Sequence, residues 1–360
     1  MKFTCKKENL EWALVFAERF TGKNLTLPIL GNILFDAGDG AMIITATNLE
    51  HAIQITIPGS GLKQGRVSVP AKIVSGFIQS VHEENIDLEE KQGNLYIKSD
   101  TRHTRINGLP VEDFPLIPKI KKNNSFVIEA SLFRDGIAKV LPAASLSEFK
   151  PELTGVFIKI TPSEIKFAAT DTFRLAEKII QRRHEGEGTS FILPHRVALE
   201  LTRVLDGDGE VRVSLGENQI LCESDGIKII SRLVEGNFPE YSAIIPKNFE
   251  TSCYLNRAEV VSAVRASSIF ASRLQEITLR FQGKNFEMSA INQDVGEYKT
   301  EVPAAITGKN VSISFNHHYL LDGLNLIEDG DFFLGLNNEN TPSLLSSKTD
   351  KSFVYVMMPI

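Results

Sequence analysis

Residues 169–178, ATDTFRLAEK, set an acid, Asp171, and a base, Arg174, among the hydroxyls of Thr170 and Thr172. Such a group could do acid–base or nucleophilic chemistry if one side chain were free to take up and pass on a proton. Other patterns that carry chemistry are missing. The sequence has no GxSxG elbow, no GxxxxGK[ST] loop, no GxGxxG fingerprint and no HExxH pair. His317 and His318 are adjacent at a helix start, so they project about 100° apart and are not expected to hold one metal. Glu83-Glu84 and Glu89-Glu90 pair carboxylates, but among polar residues that read as a loop and a solvated edge strand. Cys5, Cys222 and Cys253 lie far apart, which argues against a zinc pair or a disulfide framework and predicts buried thiols. No catalytic residue, metal or cofactor is expected.

The elements that must position Asp171 occur more than once. GRVSVPAKIVSGFIQSV (65–81), TSFILPHRVALELTRVL (189–205) and NVSISFNHHYLLDGLNLI (310–327) each join an alternating strand to a helix with 3- and 4-residue apolar spacing. Pro70 and Pro194 fall where a first helical residue accepts proline. A second set, 1–20, 125–144 and 251–270, reads as a short strand followed by an amphipathic helix, with Ser131 and Asn256 as expected N-caps. ATNLEHAIQITI (46–57) and ATDTFRLAEKII (169–180) form a third set, with a fainter echo at 289–302. Phe114-Pro115 and Phe238-Pro239 form a fourth.

The chain is therefore three copies of a unit of roughly 120 residues. Breaks are expected near 121–125 and 247–250, giving domains 1–122, 123–247 and 248–360. Each should hold two helices and about eight short strands, an α+β class with helices packed on antiparallel sheet. The repeat also bears on Asp171. Its counterpart is Asn48, and that of Arg174 is His51. A position rebuilt from the same strand in each unit is structural first, so the catalytic reading recedes.

Composition sets the class. Hydrophobic residues make up 42% and charged residues 23% of the 360, as in a soluble globular protein. No apolar run approaches the roughly 18 residues of a membrane span. The first residues carry charge where a secretory leader would be apolar. A cytoplasmic protein without membrane contact is expected. The net charge of −6 disfavours a generic nucleic-acid binder, yet it is unevenly spread. The helices expected at 6–20, 70–81, 131–141, 194–205, 256–268 and 316–327 carry ten bases and seven acids. A helical face turned toward a polyanion, with an acidic exterior, would have this distribution.

TLPILGN (26–32), ATDTFRLAE (169–177), LPHRVALELTRVLD (193–206), RLVEGNFPEYSAIIPKN (232–248), SFNHHYLLDGLNLI (314–327) and VYVMMPI (354–360) resemble the bacterial DNA polymerase III beta subunit, the sliding clamps, from end to end. The resemblance implies a DNA-clamp fold and a head-to-tail homodimer closing as a ring around duplex DNA. Twelve helices would line the hole and touch phosphate weakly, without regard to sequence. It further implies a groove between the second and third domains that receives short linear peptides. These would come from the DNA polymerase III alpha subunit, the clamp loader, other polymerases and repair proteins. The matching positions are Leu153, Thr170, Thr172, Phe173, Arg174, Leu175, Pro239, Ile244, Asn316, Tyr319, Met358 and Pro359.

This chain departs from the family's pattern at several points. Thr172-Phe173 stands where a Gly-His pair is frequent, Ala243 where an arginine is expected, and the chain stops at Ile360. The loop that often presents tyrosines to DNA reads SEFKPEL, leaving Lys150 as its phosphate contact. An earlier contact is displaced to Lys23-Asn24. Lys72, Arg196 and Arg203 complete the expected DNA-facing set. The subunit contact should join Ile269 and Phe270 to the edge strand near 101–107 of a second copy.

Overall fold

The computed structural model describes residues 1–23, 26–118, 120, 124–147, 149–183, 188–205, 207–283 and 285–360. Asn24 and most of the expected break at 121–125 lie outside them. The first repeat opens with β1 (Lys2–Lys6) and α1 (Lys7–Arg19). It continues with β2 (Asn32–Ala37), β3 (Ala41–Thr47), β4 (His51–Pro58), β5 (Ser60–Lys63) and β6 (Gly65–Pro70). It closes with α2 (Ala71–Gln79), β7 (Asn85–Lys91), β8 (Asn94–Lys98) and β9 (His103–Ile106).

The second repeat follows the same order with one strand fewer among the described residues. β10 (Asn124–Glu129) leads into α3 (Ala130–Val140), then β11 (Gly155–Ile160), β12 (Glu164–Thr170) and β13 (Arg174–Gln181). β14 (Thr189–Pro194), α4 (His195–Val204), β15 (Glu210–Leu215), β16 (Gln219–Ser224) and β17 (Ile227–Arg232) complete it. The third repeat has β18 (Thr251–Asn256), α5 (Arg257–Ser268), β19 (Glu276–Gln282), β20 (Asn285–Asn292), β21 (Gly296–Pro303) and β22 (Ala305–Gly308). It ends with β23 (Val311–Asn316), α6 (His317–Asn325), β24 (Asp331–Leu336), β25 (Ser343–Ser347) and β26 (Phe353–Met357).

Two compact units emerge, and the division falls inside the second repeat. One holds Met1–Arg134 with Glu200–Leu233, the other Asp135–Leu199 with Val234–Ile360. Sheet pairing explains why. In the first unit, β17 of the second repeat pairs antiparallel with β4 of the first, so one eight-stranded sheet runs β10-β15-β16-β17-β4-β3-β2-β6. In the second unit, β26 pairs with β13, giving a nine-stranded sheet β14-β11-β12-β13-β26-β25-β24-β18-β22. The second and third repeats thus each donate their last strand to the repeat before. Two strands are left at sheet edges by this rule. β9 ends the sheet β5-β1-β7-β8-β9, and β21 ends the sheet β21-β20-β19-β23.

Large apolar side chains fill both units. Phe3, Phe20 and Phe35 are fully buried in the first, and Phe281, Phe315, Phe332 and Tyr355 in the second. Each such burial contributes roughly 1.5–3 kcal/mol. Close helix-to-sheet approach in the second unit requires small residues. A Cβ on Gly136 of α3 would meet the Phe167 ring at 2.5 Å, and one on Gly323 of α6 the Tyr355 ring at 2.6 Å. Cys5, Cys222 and Cys253 are buried and free, and burial pushes each thiol up to about 12.

Several local expectations need correction. α3 begins at Ala130, so Ser131 lies inside it and is no cap. The Ala130 amide instead donates to the Gly209 carbonyl at 2.8 Å. Pro70 is the N-cap of α2, and Pro194 closes β14 before α4 starts, one position earlier than expected for both. Glu89 and Glu90 lie in β7, which is flanked by β1 and β8 and is no edge strand. The rings of His317 and His318, expected to diverge, sit 4.0 Å apart between centroids. Asn256 caps α5 as expected, accepting from the Glu259 amide at 3.1 Å.

Candidate functional site

Between β12 and β13 the chain reverses in a turn that uses up the polar groups of 170–174. Asp171 Oδ1 accepts from the amides of Phe173 and Arg174, both at 3.0 Å, and its Oδ2 accepts from Arg174 Nε at 2.9 Å. Thr170 Oγ1 donates to the Arg174 carbonyl at 2.7 Å and accepts from the Thr172 amide at 3.2 Å. Asp171 and Thr170 therefore act as turn formers, as Asx and hydroxyl side chains commonly do. Neither is held ready for proton transfer.

The first repeat contains the same turn. Asn48 Oδ1 accepts from the amides of Glu50 and His51, and Thr47 Oγ1 donates to the His51 carbonyl at 3.0 Å. Leu49 and Thr172 take the same left-handed backbone, at φ 79° and 78°. For a β-branched residue that conformation is strained.

Arg174 ties the turn to the third repeat. Its guanidinium lies 4.5 Å from the Tyr319 ring centroid and its Nη1 donates to Asp322 of α6. Burial pulls the Arg174 pKa down, but Tyr355, Asp322 and Asp171 more than offset this and hold it above its ordinary value. Phe173, 58% exposed, stacks on Tyr319 at 6.4 Å. The Met358 amide donates to the Phe173 carbonyl at 2.8 Å, extending the β13–β26 pairing past the end of β26.

A groove of about 380 Å³ opens beside this turn, wholly within the second unit. Its floor and one side come from Leu153, Thr170, Thr172, Phe173, Arg174 and Leu175. Pro239, Ile244 and Met358 line it as well. Nine of the twelve residues named from the sequence are thus brought together. Asn316, Tyr319 and Pro359 are not among the lining. Asn316 spends its side chain capping α6, accepting from the His318 amide at 2.9 Å. Tyr319 stands behind Phe173 and Arg174. Pro359 lies one residue past Met358.

Five lining residues were not anticipated as groove residues: Lys150, Glu152, Asn237, Tyr241 and Val356. Val356 reaches the groove by pairing with Leu175 across the sheet. Lys150, expected to face DNA, stands exposed at the groove's rim. Lys23, Lys72 and Arg196 are exposed, the last two in the first turns of α2 and α4. Arg203 is exposed too but pairs with Glu200 at 2.7 Å, which offsets part of its charge. Ile269, at the C-cap of α5, is 68% exposed, and Phe270 stacks on Tyr298 of the edge strand β21 at 5.8 Å. No cluster of three or more metal-ligating side chains occurs among the described residues.

Sheet-linked α+β repeats with an apolar groove beside the second linkage are the features of a clamp scaffold, and the comparisons agree. Family models of the DNA polymerase III beta subunit match residues 1–118 (N-terminal domain), 127–240 (central domain) and 242–360 (C-terminal domain). The chain belongs to that family. It has the three-domain clamp fold and is a DNA sliding clamp, a non-catalytic processivity subunit.

The beta sliding clamp of Staphylococcus epidermidis is 28% identical over 373 residues, spanning 100% of this chain and 99% of its own. That of Synechocystis is 28% identical over 387 residues with the same coverage. A Pseudomonas aeruginosa sliding clamp solved with griselimycin bound has a TM-score of 0.95 at 26% identity, covering 100% of this chain and 99% of its own. The Thermotoga maritima beta subunit has a TM-score of 0.94 at 25% identity, with the same coverage.

Proposed function

We propose that two copies of this chain close head to tail into a ring around duplex DNA and tether partner proteins through the groove beside Arg174. The observation that carries this reading is the sheet pattern. β17 completes β4 and β26 completes β13, while β9 and β21 are left as edges. By the same rule β9 should complete β21, and a second copy supplies the strand. Both edges then disappear, which removes an aggregation hazard and closes the assembly. Ile269 and Phe270, next to β21, would be covered by the same contact. In each copy the domains would run 1–122, 123–247 and 248–360.

Around the hole, Lys23, Lys72, Lys150, Arg196 and Arg203 would make weak phosphate contacts that let the ring slide. The groove would take short apolar peptides from the polymerase III alpha subunit, the clamp loader, other polymerases and repair proteins. A methionine at its edge suits a site shared among several ligands. The protein would act in the cytoplasm. No helix among the described residues is long and apolar enough to cross a membrane.

The test is topological. Protein loaded onto nicked circular DNA with its loader and ATP should be retained on the circle and released when the circle is linearised. Equal retention on circular and linear DNA would contradict encirclement.

A further inference from the structure

One wall of the groove has no ladder to shape it. Asn237, Pro239, Tyr241 and Ile244 belong to the stretch 233–250 between β17 and β18, which forms neither helix nor strand. Ring contacts and hydrogen bonds hold it. Phe238 stacks on Phe157 of β11 at 4.7 Å with the planes 6° apart, and Tyr241 meets Phe238 edge-on at 5.8 Å. The Ile244 amide donates to the Tyr241 carbonyl at 2.9 Å, closing a turn. Most unusual is the last: Tyr241 donates its hydroxyl to Glu177 Oε2 at 2.7 Å, with Tyr241 only 6% and Glu177 only 8% exposed.

Glu177 lies two residues beyond Leu175 on β13, so the carboxylate shares a face with the groove's floor. Leu175 and Tyr241 belong to one apolar cluster with Ala168, Leu344 and Val356. A carboxylate in such surroundings costs stability unless a donor meets it, and an apolar pair of the same volume would hold a loop as well or better. What an apolar pair lacks is a single direction. A short hydrogen bond fixes where the tyrosine, and the chain that carries it, must lie. Burial pushes the Tyr241 hydroxyl well above its ordinary range, so it remains a donor.

The pair is not inherited from the repeat. At the repeat spacing, Glu177 corresponds to Gln54 and Tyr241 to Ile117. Gln54 instead donates to Thr45 Oγ1, at 3.5 Å. A contact that served the common fold would be expected in the first repeat as well. This one occurs where the groove is.

We propose that Glu177 and Tyr241 are positioning residues for partner binding, setting the groove wall Asn237–Ile244 through their buried hydrogen bond; this rests on reading the groove as a peptide site. The experiment measures binding of a fluorescein-labelled peptide, the C-terminal clamp-binding segment of the same organism's polymerase III alpha subunit, to the full-length protein by anisotropy. Melting temperature and dimer mass are followed in parallel. Tyr241→Phe and Glu177→Leu should each weaken binding about tenfold, and the double variant no further, because the two groups act as one. Glu177→Gln keeps an acceptor for the hydroxyl and should bind within about twofold of the original. Unchanged affinity in Tyr241→Phe and Glu177→Leu would overturn the proposal. So would an equal loss in Glu177→Gln, or unfolding of Tyr241→Phe, which would make the pair simply structural. Failure of the unaltered protein to bind the peptide would instead bring down the groove reading itself.

Discussion

In the first repeat, Thr47, Asn48 and the following amides build the same hydrogen-bonded turn as Thr170, Asp171 and theirs in the second. The strand that joins from the next repeat meets both turns alike. The Arg232 amide donates to the Glu50 carbonyl at 2.9 Å, and the Met358 amide to the Phe173 carbonyl at 2.8 Å. With the backbone duplicated, the side chains differ. Ala52, Glu50 and Arg232 occupy the places of Leu175, Phe173 and Met358. At the first turn Glu50 and Arg232 are exposed charges, whereas at the second an apolar floor and rim are left open beside a fixed wall. A repeated scaffold can thus keep the same sheet linkage at two turns and open an apolar groove beside one of them, through a few side chains.

Changing those side chains sharpens the contrast. The largest effect is expected at the third linkage, the one that needs a second copy. Ile269→Glu with Phe270→Glu should give monomers by sedimentation velocity, since burying each unpaired charge costs roughly 3–5 kcal/mol. A persistent dimer would place the contact elsewhere. Next, Met358→Arg copies Arg232 into the groove's edge. It should weaken peptide binding by about 2 kcal/mol, roughly thirtyfold, while leaving the dimer intact. Unchanged affinity would remove the C-terminal segment from the site. The smallest effect is at the turn itself. Thr172→Gly relieves a β-branched residue at φ 78° and should raise unfolding stability by about 1 kcal/mol in urea titrations. A loss of stability would mean that the Thr172 side chain makes contacts worth more than the strain.

Much of this was legible in the sequence because its causes are local. Helix periodicity located the six expected helices to within about a residue at their starts, and the 123-residue spacing of Asn48 and Asp171 marked them as structural positions, though as part of a strand rather than the turn they form. Ser131 misled because a carbonyl from a distant loop, Gly209, satisfies the helix start that a serine usually caps. The exchange of last strands between repeats was not readable. β17 and β26 alternate like any strand, and nothing in their residues names β4 or β13 as partner. Within the groove, the resemblance supplied Leu175 and Met358. It did not supply Tyr241, whose role depends on Glu177, 64 positions away and buried despite its charge.

The contrast between the two turns can be tested in one experiment, amide hydrogen exchange with and without the polymerase-derived peptide. The account predicts added protection at 170–175, 237–244 and 356–358, with exchange at 47–52 and 230–233 unchanged. Equal protection at both turns, or protection only at the first, would contradict it.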